Sequence, residues 1–251
     1  MSKDRSAAAY LDTPRILDWI LQELLAMAHS VGIDWRSECL FGLYRSISQL
    51  LDDIGRLVKA AKIHPRQPLL VAPTAVPPSV SSRTLRVGVY PIAGNPIHWG
   101  QLSSALLAIE RLRLDKVVFV IVDGGARKPE RMSKEIWHEM AAAYLPCFLP
   151  LFEYSPIARD SDLDGETSLF RLLELNRRQP LHAFYLAGNE RCHRIDPATG
   201  EPGTIEKLER NVADRIFDYD ARRHRLSVAF FENEHRWTRP RSSLSITRLP
   251  G

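Results

Sequence analysis

A short segment between an apolar run and an amphipathic segment combines residue types that bind phosphate. It reads Asn95-Pro96-Ile97-His98-Trp99-Gly100-Gln101 and follows the apolar run Leu85 to Ile92. Gly94 and Gly100 allow the backbone to approach a ligand closely. A helix that begins near Trp99 would present unpaired N–H groups and a partial positive charge to an anion. His98 and Gln101 are three residues apart, so both can face the same phosphate, and a histidine can become charged as negative charge develops.

The spacing of the other candidate residues does not match a known type of functional site. His182, His193 and His224 lack the spacing of metal ligands, and we interpret them as structural or surface residues. Aspartates alternate over residues 160–164 as in a calcium loop, but the glycine and distal glutamate of an EF-hand are misplaced. We therefore predict that Asp164 caps a helix.

The elements that must position this segment alternate between strand and helix patterns. Strands are predicted at Leu85 to Ile92, Lys116 to Val122, Leu151 to Tyr154, Leu181 to Gly188 and Leu226 to Glu232. Helices are predicted at Leu102 to Leu114, Ser133 to Tyr144, Glu166 to Leu175 and Thr204 to Ile216. This alternation predicts an α/β fold with a doubly wound parallel sheet. Ligands in such sheets bind beyond the carboxyl ends of the strands, where the strand order reverses.

The first part of the chain has a different pattern. Two amphipathic helices predict a helical hairpin over residues 1–63. The first is predicted to start with Thr13 as its N-cap and Pro14 at the first helical position, and the second starts near Ser37. We interpret the hairpin as a structural or oligomerising appendage, with a homo-oligomer as one outcome. Residues 64–84 contain five prolines and form a predicted linker, in which Leu69 to Val71 dock locally. Residues 85–251 form the predicted α/β domain.

The bulk composition is that of an ordinary soluble globular protein, with 251 residues, 45% hydrophobic and 25% charged. The net charge of +4 suits anionic small ligands and does not require nucleic acid. Charges interrupt the first apolar stretch, Ile16 to Ala28, which predicts neither a signal peptide nor a membrane span. Cys39, Cys147 and Cys192 are too far apart for a disulfide framework or zinc site, so we expect a cytoplasmic protein.

The phosphate-binding segment resembles the signature of the nucleotidyltransferase family with the His-x-Gly-His motif. That family includes nicotinate and nicotinamide mononucleotide adenylyltransferases, and its loop is Gly-Gly-(Ser/Thr)-Phe-(Asp/Asn)-Pro-x-His-x-Gly-His. The pattern Asn-Pro-x-His-x-Gly is matched in order and spacing from Asn95 to Gly100. The resemblance covers residues 85–251 and implies a Rossmann-like nucleotidyltransferase fold. It implies that Ala93, Gly94 and Asn95 bind the nucleotide.

The resemblance departs from the family pattern at two places. Pro91 and Ile92 stand where the family has glycines. Gln101 stands where the family has its second histidine, which supports the transition state at the α-phosphate. Glutamine donates a neutral hydrogen bond but cannot become cationic. The glutamine leaves three possibilities for the function. The protein is a slow enzyme, an enzyme that uses another cation, or a protein that binds the nucleotide without turnover.

Three further segments resemble parts of the family's site. The loop Asp123 to Pro129 contains Arg127 and Lys128 and suits phosphate contact, with a solvated turn as the alternative. Gly188 and Asn189 end a strand that resembles one lining the nucleotide pocket, where Asn189 or Glu190 can bind a ribose or base edge. The last segment contains Ser245, Thr247 and Arg248. It resembles a motif at a helix start that holds the triphosphate, with a frayed tail as the alternative.

The resemblance implies an adenylyltransferase that moves AMP from ATP to a phosphate-bearing acceptor, nicotinate or nicotinamide mononucleotide, as in NAD biosynthesis. Mg²⁺ would be held mainly by the ATP phosphates. His98, Gln101, Lys128 and Arg248 are the candidate catalytic residues, and a membrane or nucleic acid is not an expected partner. The alternative is a weak or inactive nucleotide-binding protein with a regulatory or scaffold role. Trp99 could stack on a base or pack internally.

Overall fold

The structure is a computed structural model that describes residues 12–32, 34, 38–73, 82–93, 97–122, 133–159, 161, 163–191, 193–195, 200–232 and 242–250. Within these ranges the helices are α1 (Thr13–Val31), α2 (Glu38–Lys59), α3 (Trp99–Leu112), α4 (Lys134–Tyr144), α5 (Gly165–Leu175) and α6 (Thr204–Ala213). The strands are β1 (Leu85–Ile92), β2 (Lys116–Ile121), β3 (Phe152–Ser155), β4 (Leu181–Gly188), β5 (His224–Phe231) and β6 (Ser245–Leu249).

The strands form one parallel sheet in the order β3-β2-β1-β4-β5-β6. The chain moves outward from β1 to β3, returns to β4 and then moves outward in the other direction to β6. This topology confirms the predicted α/β fold with a doubly wound parallel sheet. Because the strand order reverses between β1 and β4, the carboxyl ends of these two strands flank the expected ligand crevice.

Helices cover the sheet on both faces. Apolar side chains of α1 to α4 form one core cluster with one face of the sheet. Side chains of α5 and α6 form a second cluster with the other face. Every residue of β2 is buried, as expected for a central parallel strand that is covered on both sides.

The N-terminal hairpin shares the core of the α/β part. Ile16, Ile20 and Leu24 are buried in the same cluster as Leu102 and Leu106 of α3. These apolar residues recur at helical spacing, so one face of α1 can be buried on a neighbouring layer. The hairpin is therefore packed on the sheet side that carries α3.

Both ends of α1 are capped. Asp12 rather than the predicted Thr13 is the N-cap, and its Oδ1 accepts a hydrogen bond of 3.3 Å from the Arg15 N–H. Pro14 lies at the start of the helix, where its missing N–H has no intrahelical acceptor. Gly32 ends the helix at a φ of 68°, a left-handed conformation that glycine adopts without strain.

The described part of the proline-rich connector docks on the α/β layer. Leu69 is buried in the second core cluster. The Leu70 N–H donates to Asn176 Oδ1 at 2.9 Å, and the Ser155 hydroxyl donates to the Val71 carbonyl. These contacts confirm the predicted local docking of Leu69 to Val71.

The C-terminal segment is a strand and not the start of a helix. Ser245–Leu249 forms β6, which pairs in parallel with β5. Ile246 and Leu249 are buried, and a β-branched segment that pairs its backbone with a sheet edge gains more as a strand than as a helix. The expectation that Ser245, Thr247 and Arg248 lie at a helix start is therefore corrected.

Among the described residues, no helix has both the length and the apolar character needed to cross a membrane.

Candidate nucleotide-binding site

The start of α3 lies at the carboxyl end of β1. His98 is the N-cap residue, with extended backbone angles (φ −121°, ψ 162°), and Trp99 is the first helical residue. The predicted helix start is therefore confirmed. His98 is exposed, so its imidazole is accessible to a ligand. The first turn of a helix directs N–H groups without intrahelical acceptors away from the helix, which together with the helix dipole suits an anion.

Gln101 stabilises this helix start. Its Oε1 accepts a hydrogen bond of 3.2 Å from the His98 N–H, which is the glutamine half of a capping box. The Gln101 N–H donates in turn to the His98 carbonyl at 2.9 Å. Oε1 of Gln101 is therefore engaged in the fold, and its amide NH₂ group is the part that can donate to a ligand.

Gly100 leaves space for the His98 imidazole. A Cβ at position 100 would lie 3.1 Å from Nδ1 and 3.2 Å from Cε1 of His98. These distances are shorter than an ordinary van der Waals contact, so an alanine at position 100 would require the exposed imidazole to move by a few tenths of an ångström. Gly100 thus lets the imidazole lie close to the first turn of α3.

Trp99 packs against the N-terminal hairpin. Its ring centroid lies 5.9 Å from that of Trp19, which also contacts Tyr144 and Phe148. Aromatic rings at this separation stabilise a core. Of the two interpretations of Trp99, internal packing is the one that these contacts support.

The end of β4 lies on the other side of the crevice. Gly188 is its last residue, and the 3₁₀ turn Asn189–Arg191 follows. Asn189 is buried, whereas the Glu190 carboxylate occupies the space that a side chain on Gly188 would fill. Burial raises the pKa of Tyr90 on β1, and the negative charge of Glu190 raises it further. The Glu190 carboxylate, which follows β4, therefore influences the pKa of a side chain on the neighbouring strand β1.

The N-terminus of α5 lies against the end of β1. A Cβ at Gly165 would lie 2.6 Å from Cβ of Pro91 and 2.8 Å from the Tyr185 hydroxyl. Only glycine permits this approach, because real Cβ atoms do not come so close to a neighbouring atom. Asp164 is the N-cap and its Oδ1 accepts from the Thr167 N–H at 2.8 Å, which confirms the predicted capping role.

A buried carboxylate lies directly after this close contact. Glu166 is 6% exposed, and its Oε1 accepts hydrogen bonds from the hydroxyls of Tyr185 (2.9 Å) and Thr204 (2.7 Å). These bonds join α5, β4 and α6 at the carboxyl edge of the sheet. Burial raises the pKa of Tyr185, and the Glu166 carboxylate raises it further, so the phenol remains a donor.

A cleft of about 340 Å³ opens beside this network. Its charged wall consists of Asp164, Glu166, Glu190, Arg191 and Lys207. Burial raises the pKa of Asp164, but the Thr167 hydroxyl and N–H and the nearby Lys207 ammonium lower it more, and the net pKa is below its ordinary value. The cleft therefore offers carboxylate acceptors and two cations on the side of the sheet opposite α3. Its volume is at the lower end of the range for small-molecule sites.

The C-terminal candidates lie away from His98. Arg248 forms an ion pair with Glu232, with Nε 2.8 Å from Oε2. Two strands, β4 and β5, separate β6 from β1, which corresponds to about 14 Å across the sheet. Ser245 and Thr247 lie on this same edge strand. The strand order therefore places Ala93 and the helix start with His98, Gly100 and Gln101 after β1, and Gly188 and Asn189 at the end of the neighbouring strand β4. Ser245, Thr247 and Arg248 lie on the far edge strand.

Several predicted site residues lie outside the described residues. These are Gly94, Asn95 and Lys128, with Arg127 beside Lys128. Their predicted phosphate contacts stay predictions. Ala93, the described residue that follows β1, is half-buried.

Sequence reasoning missed the cleft on the α5 side. Tyr185 and Thr204 are 19 and 38 residues from Glu166, so no local spacing connects the three. A weak signal was present, because Asp164-Gly165-Glu166 places two carboxylates and a glycine at a predicted helix start. The fold turns this signal into a polar network by placing α5 against β1 and β4.

Within the described ranges, no three His, Cys, Asp or Glu side chains converge as a metal-ligand set. No protein-family model matches the chain, and no curated protein matches it. The resemblance to nucleotidyltransferases therefore depends on the motif residues themselves and on their position in the fold.

Proposed function

We propose that this protein binds ATP or a related nucleotide with its phosphates at the N-terminus of α3 and transfers AMP to a phosphate-bearing acceptor. The observation that carries the proposal is the position of His98. It is an exposed N-cap at the end of β1, next to the reversal of strand order. A helix N-terminus, a histidine and a parallel-sheet crevice each favour phosphate, and here they coincide.

The proposed reaction is a direct transfer that requires no covalent intermediate with the protein. An oxygen of the acceptor phosphate, already ionised, attacks the α-phosphate of ATP in line, and pyrophosphate leaves with the electron pair of the broken bond. Positioning and charge neutralisation then lower the barrier. His98 and the first N–H groups of α3 contact the phosphates, and Lys128 is the predicted neutralising cation. Mg²⁺ enters with the ATP phosphates and keeps several waters.

The cleft beside Glu166 is where the acceptor fits best. Glu190 can accept hydrogen bonds from ribose hydroxyls, and Arg191 can pair with a phosphate. Lys207, whose ammonium lies 3.4 Å from Asp164 Oδ2, can exchange that contact for the phosphate. Nicotinate and nicotinamide mononucleotide have these groups and are the acceptors that the family resemblance implies. Arg248 has no part in this proposal because it pairs with Glu232.

A second function, nucleotide binding without turnover, is favoured by Gln101. The bond from the His98 N–H to Gln101 Oε1 gives this side chain a structural role, and glutamine cannot supply the positive charge of a histidine. A regulatory or scaffold protein would need only the binding half of the site.

One experiment separates the two functions. Pyrophosphate release is measured with ATP, Mg²⁺ and nicotinate mononucleotide for the wild-type protein and for Gln101→His, and ATP affinity is measured for both. Adenylyl transfer predicts release by the wild type that depends on the acceptor, and faster release by Gln101→His. ATP binding without release in the wild type, with release in Gln101→His, would establish the binding function instead.

A further inference from the structure

A second pocket lies at the opposite edge of the sheet from His98. It has a volume of about 330 Å³ and is formed by the end of α5, the turn after α6 and the start of β5. Arg177, Arg178, Arg223 and His224 are among the residues that line it. Its volume is within the range of pockets that hold small molecules.

His224 lines this pocket with a buried imidazole. The residue is 4% exposed, and its Nδ1 is buried without a hydrogen-bond partner among the described residues. Its backbone is fixed, because the N–H donates to the Asp220 carbonyl at 2.9 Å and the carbonyl accepts from the Tyr219 hydroxyl at 3.0 Å. A buried imidazole nitrogen without a partner costs free energy.

Two guanidinium groups at the mouth of the pocket are available to an anion. Arg177 and Arg178 are exposed, and neither side chain has a hydrogen bond or ion pair with any other described residue. One nitrogen of the Arg223 guanidinium already has partners, because Nη1 donates hydrogen bonds to the carbonyls of Arg177 (3.1 Å) and Arg178 (3.4 Å). Guanidinium groups pair with phosphate oxygens in a bidentate geometry.

The acidic residues of the same wall are mostly occupied. Glu174 pairs with Arg171, and Asp220 Oδ1 accepts from the Arg222 N–H at 2.9 Å. Asp218 is the remaining carboxylate that lines the pocket. Burial lowers the pKa of His224, Asp220 raises it and Arg223 lowers it, and the net pKa is below its ordinary value. The imidazole is therefore neutral at pH 7 and adds no charge to the pocket wall.

The wall of the pocket also has an aromatic surface and a constrained backbone. Phe217 and Tyr219 both line it. Arg215, Phe217 and Asp218 have φ values of 51°, 51° and 55°, a left-handed region that costs energy for residues other than glycine. The constrained turn holds the Phe217 ring on the pocket wall, where a flat or apolar group can pack.

We propose that this pocket binds a small phosphate monoester, with the phosphate between Arg177 and Arg178, close to the buried His224 ring, and its carbon skeleton against Phe217. The pocket is on the far side of the sheet from α3, so it is a separate site from the nucleotide crevice. Its occupancy would tie the end of α5 to the start of β5. Because α5 also begins at the crevice, the helix connects the two sites.

The test uses the full chain and inorganic phosphate as the probe. The side-chain nitrogen signals of His224 and His98 are followed by NMR during a phosphate titration at constant ionic strength. We expect a saturable shift of the His224 signals with phosphate and none with chloride. In the double variant Arg177→Gln/Arg178→Gln, whose exposed positions do not threaten the fold, we expect the affinity at His224 to fall at least tenfold. The matched control Arg210→Gln/Arg222→Gln removes the same charge at two exposed positions outside the pocket lining and should keep the affinity.

Three results would overturn the proposal. The first is an equal shift of His224 with chloride, and the second is an equal loss of affinity in both double variants. The third is a shift of His98 alone, which would support the nucleotide site and reject this one. A loss of labelled-oligonucleotide binding in Arg177→Gln/Arg178→Gln, without a phosphate shift at His224, would assign the basic surface to nucleic acid instead.

Discussion

At the residue scale, three neighbouring side chains at the start of α3 have different tasks. His98 is exposed, Gln101 caps the helix, and Gly100 leaves room for the imidazole. In the proposed site, phosphate binding would depend mainly on His98 and helix stability mainly on Gln101. A substitution can change one of them while leaving the other intact.

Replacing Gly100 with alanine tests this separation. Alanine favours a helix over glycine by about 1 kcal/mol, so Gly100→Ala should keep or raise the free energy of unfolding. Its Cβ would shift the His98 ring by a few tenths of an ångström, and the weaker charge-assisted hydrogen bond should lower the affinity for Mg·ATP by about two- to threefold. Thermal unfolding and calorimetric titration measure the two effects.

Gly42→Ala is the matched control for Gly100→Ala. A Cβ at Gly42 of α2 meets nothing within 4 Å, so this variant should gain stability without any loss of affinity. Unchanged ATP affinity in Gly100→Ala would show that the imidazole does not contact the ligand.

The sequence predicted the local features of these residues but not the contacts between distant ones. The helix start near Trp99 and the capping role of Asp164 follow from short-range rules that depend on a few neighbours. The bonds from Tyr185 and Thr204 to Glu166 depend on how two helices and a strand meet. The pairing of Arg248 with Glu232 likewise follows from the register of β5 and β6, which no motif contains.

At the element scale, the approach of α5 to β1 depends on Gly165. Gly165→Ala places a Cβ 2.6 Å from Pro91, which should force the helix away and lower the free energy of unfolding by about 1–3 kcal/mol. The matched control is Gly55→Ala in α2, where nothing lies within 4 Å and a gain of about 0.5–1 kcal/mol is expected. Denaturant unfolding compares both, and equal effects of the same sign would contradict the close packing.

Helix α6 is tied to the segment before β6 by Glu209. Burial raises the pKa of this carboxyl, but the Ser243 N–H, the hydroxyls of Ser242 and Ser243 and the Arg194 guanidinium lower it more, to about 2. The pKa in the folded protein is thus below its value of 4.5 in the unfolded chain. The stability that Glu209 contributes is present above about pH 5 and is lost as the pH falls towards 2.

We expect this pH dependence to be visible in Glu209→Gln. The difference in unfolding free energy between wild type and variant should be constant above about pH 5 and should shrink at lower pH. Glu206→Gln is the control, since Glu206 is on the same helix and forms a more exposed ion pair with Arg194 that contributes little. A difference that stays constant down to pH 2 would contradict the assignment.

Most elements follow from the sequence, because apolar periodicity decides them locally. The bounds of β1 and β4 agree with the predicted strands, and α3 begins where the motif required. Strand β6 was missed because Ser245–Leu249 alternates poorly between polar and apolar residues and becomes a strand only by pairing with β5. Strand pairing of this kind cannot be predicted from the sequence of one segment alone.

At the scale of the whole molecule, the hairpin and the α/β layer share one core and should unfold together. Ile20 is fully buried in this shared cluster, so Ile20→Ala should lower the free energy of unfolding by about 2–5 kcal/mol. Met27→Ala, at an exposed position of the same helix, should change it by less than about 0.5 kcal/mol. Far-ultraviolet dichroism and tryptophan fluorescence, which senses Trp19 and Trp99, should report one common transition. Two separate transitions would show that the hairpin folds independently.

The central claim, that nucleotide phosphates bind at the start of α3, is tested most directly by calorimetric titration with Mg·ATP. The wild type, His98→Ala and the control His29→Ala, at an exposed histidine near the end of α1, are compared under the same conditions. We expect saturable binding to the wild type, unchanged binding to His29→Ala and at least tenfold weaker binding to His98→Ala, because one charge-assisted hydrogen bond is lost. No binding to the wild type, or equal affinity in all three proteins, would contradict the account.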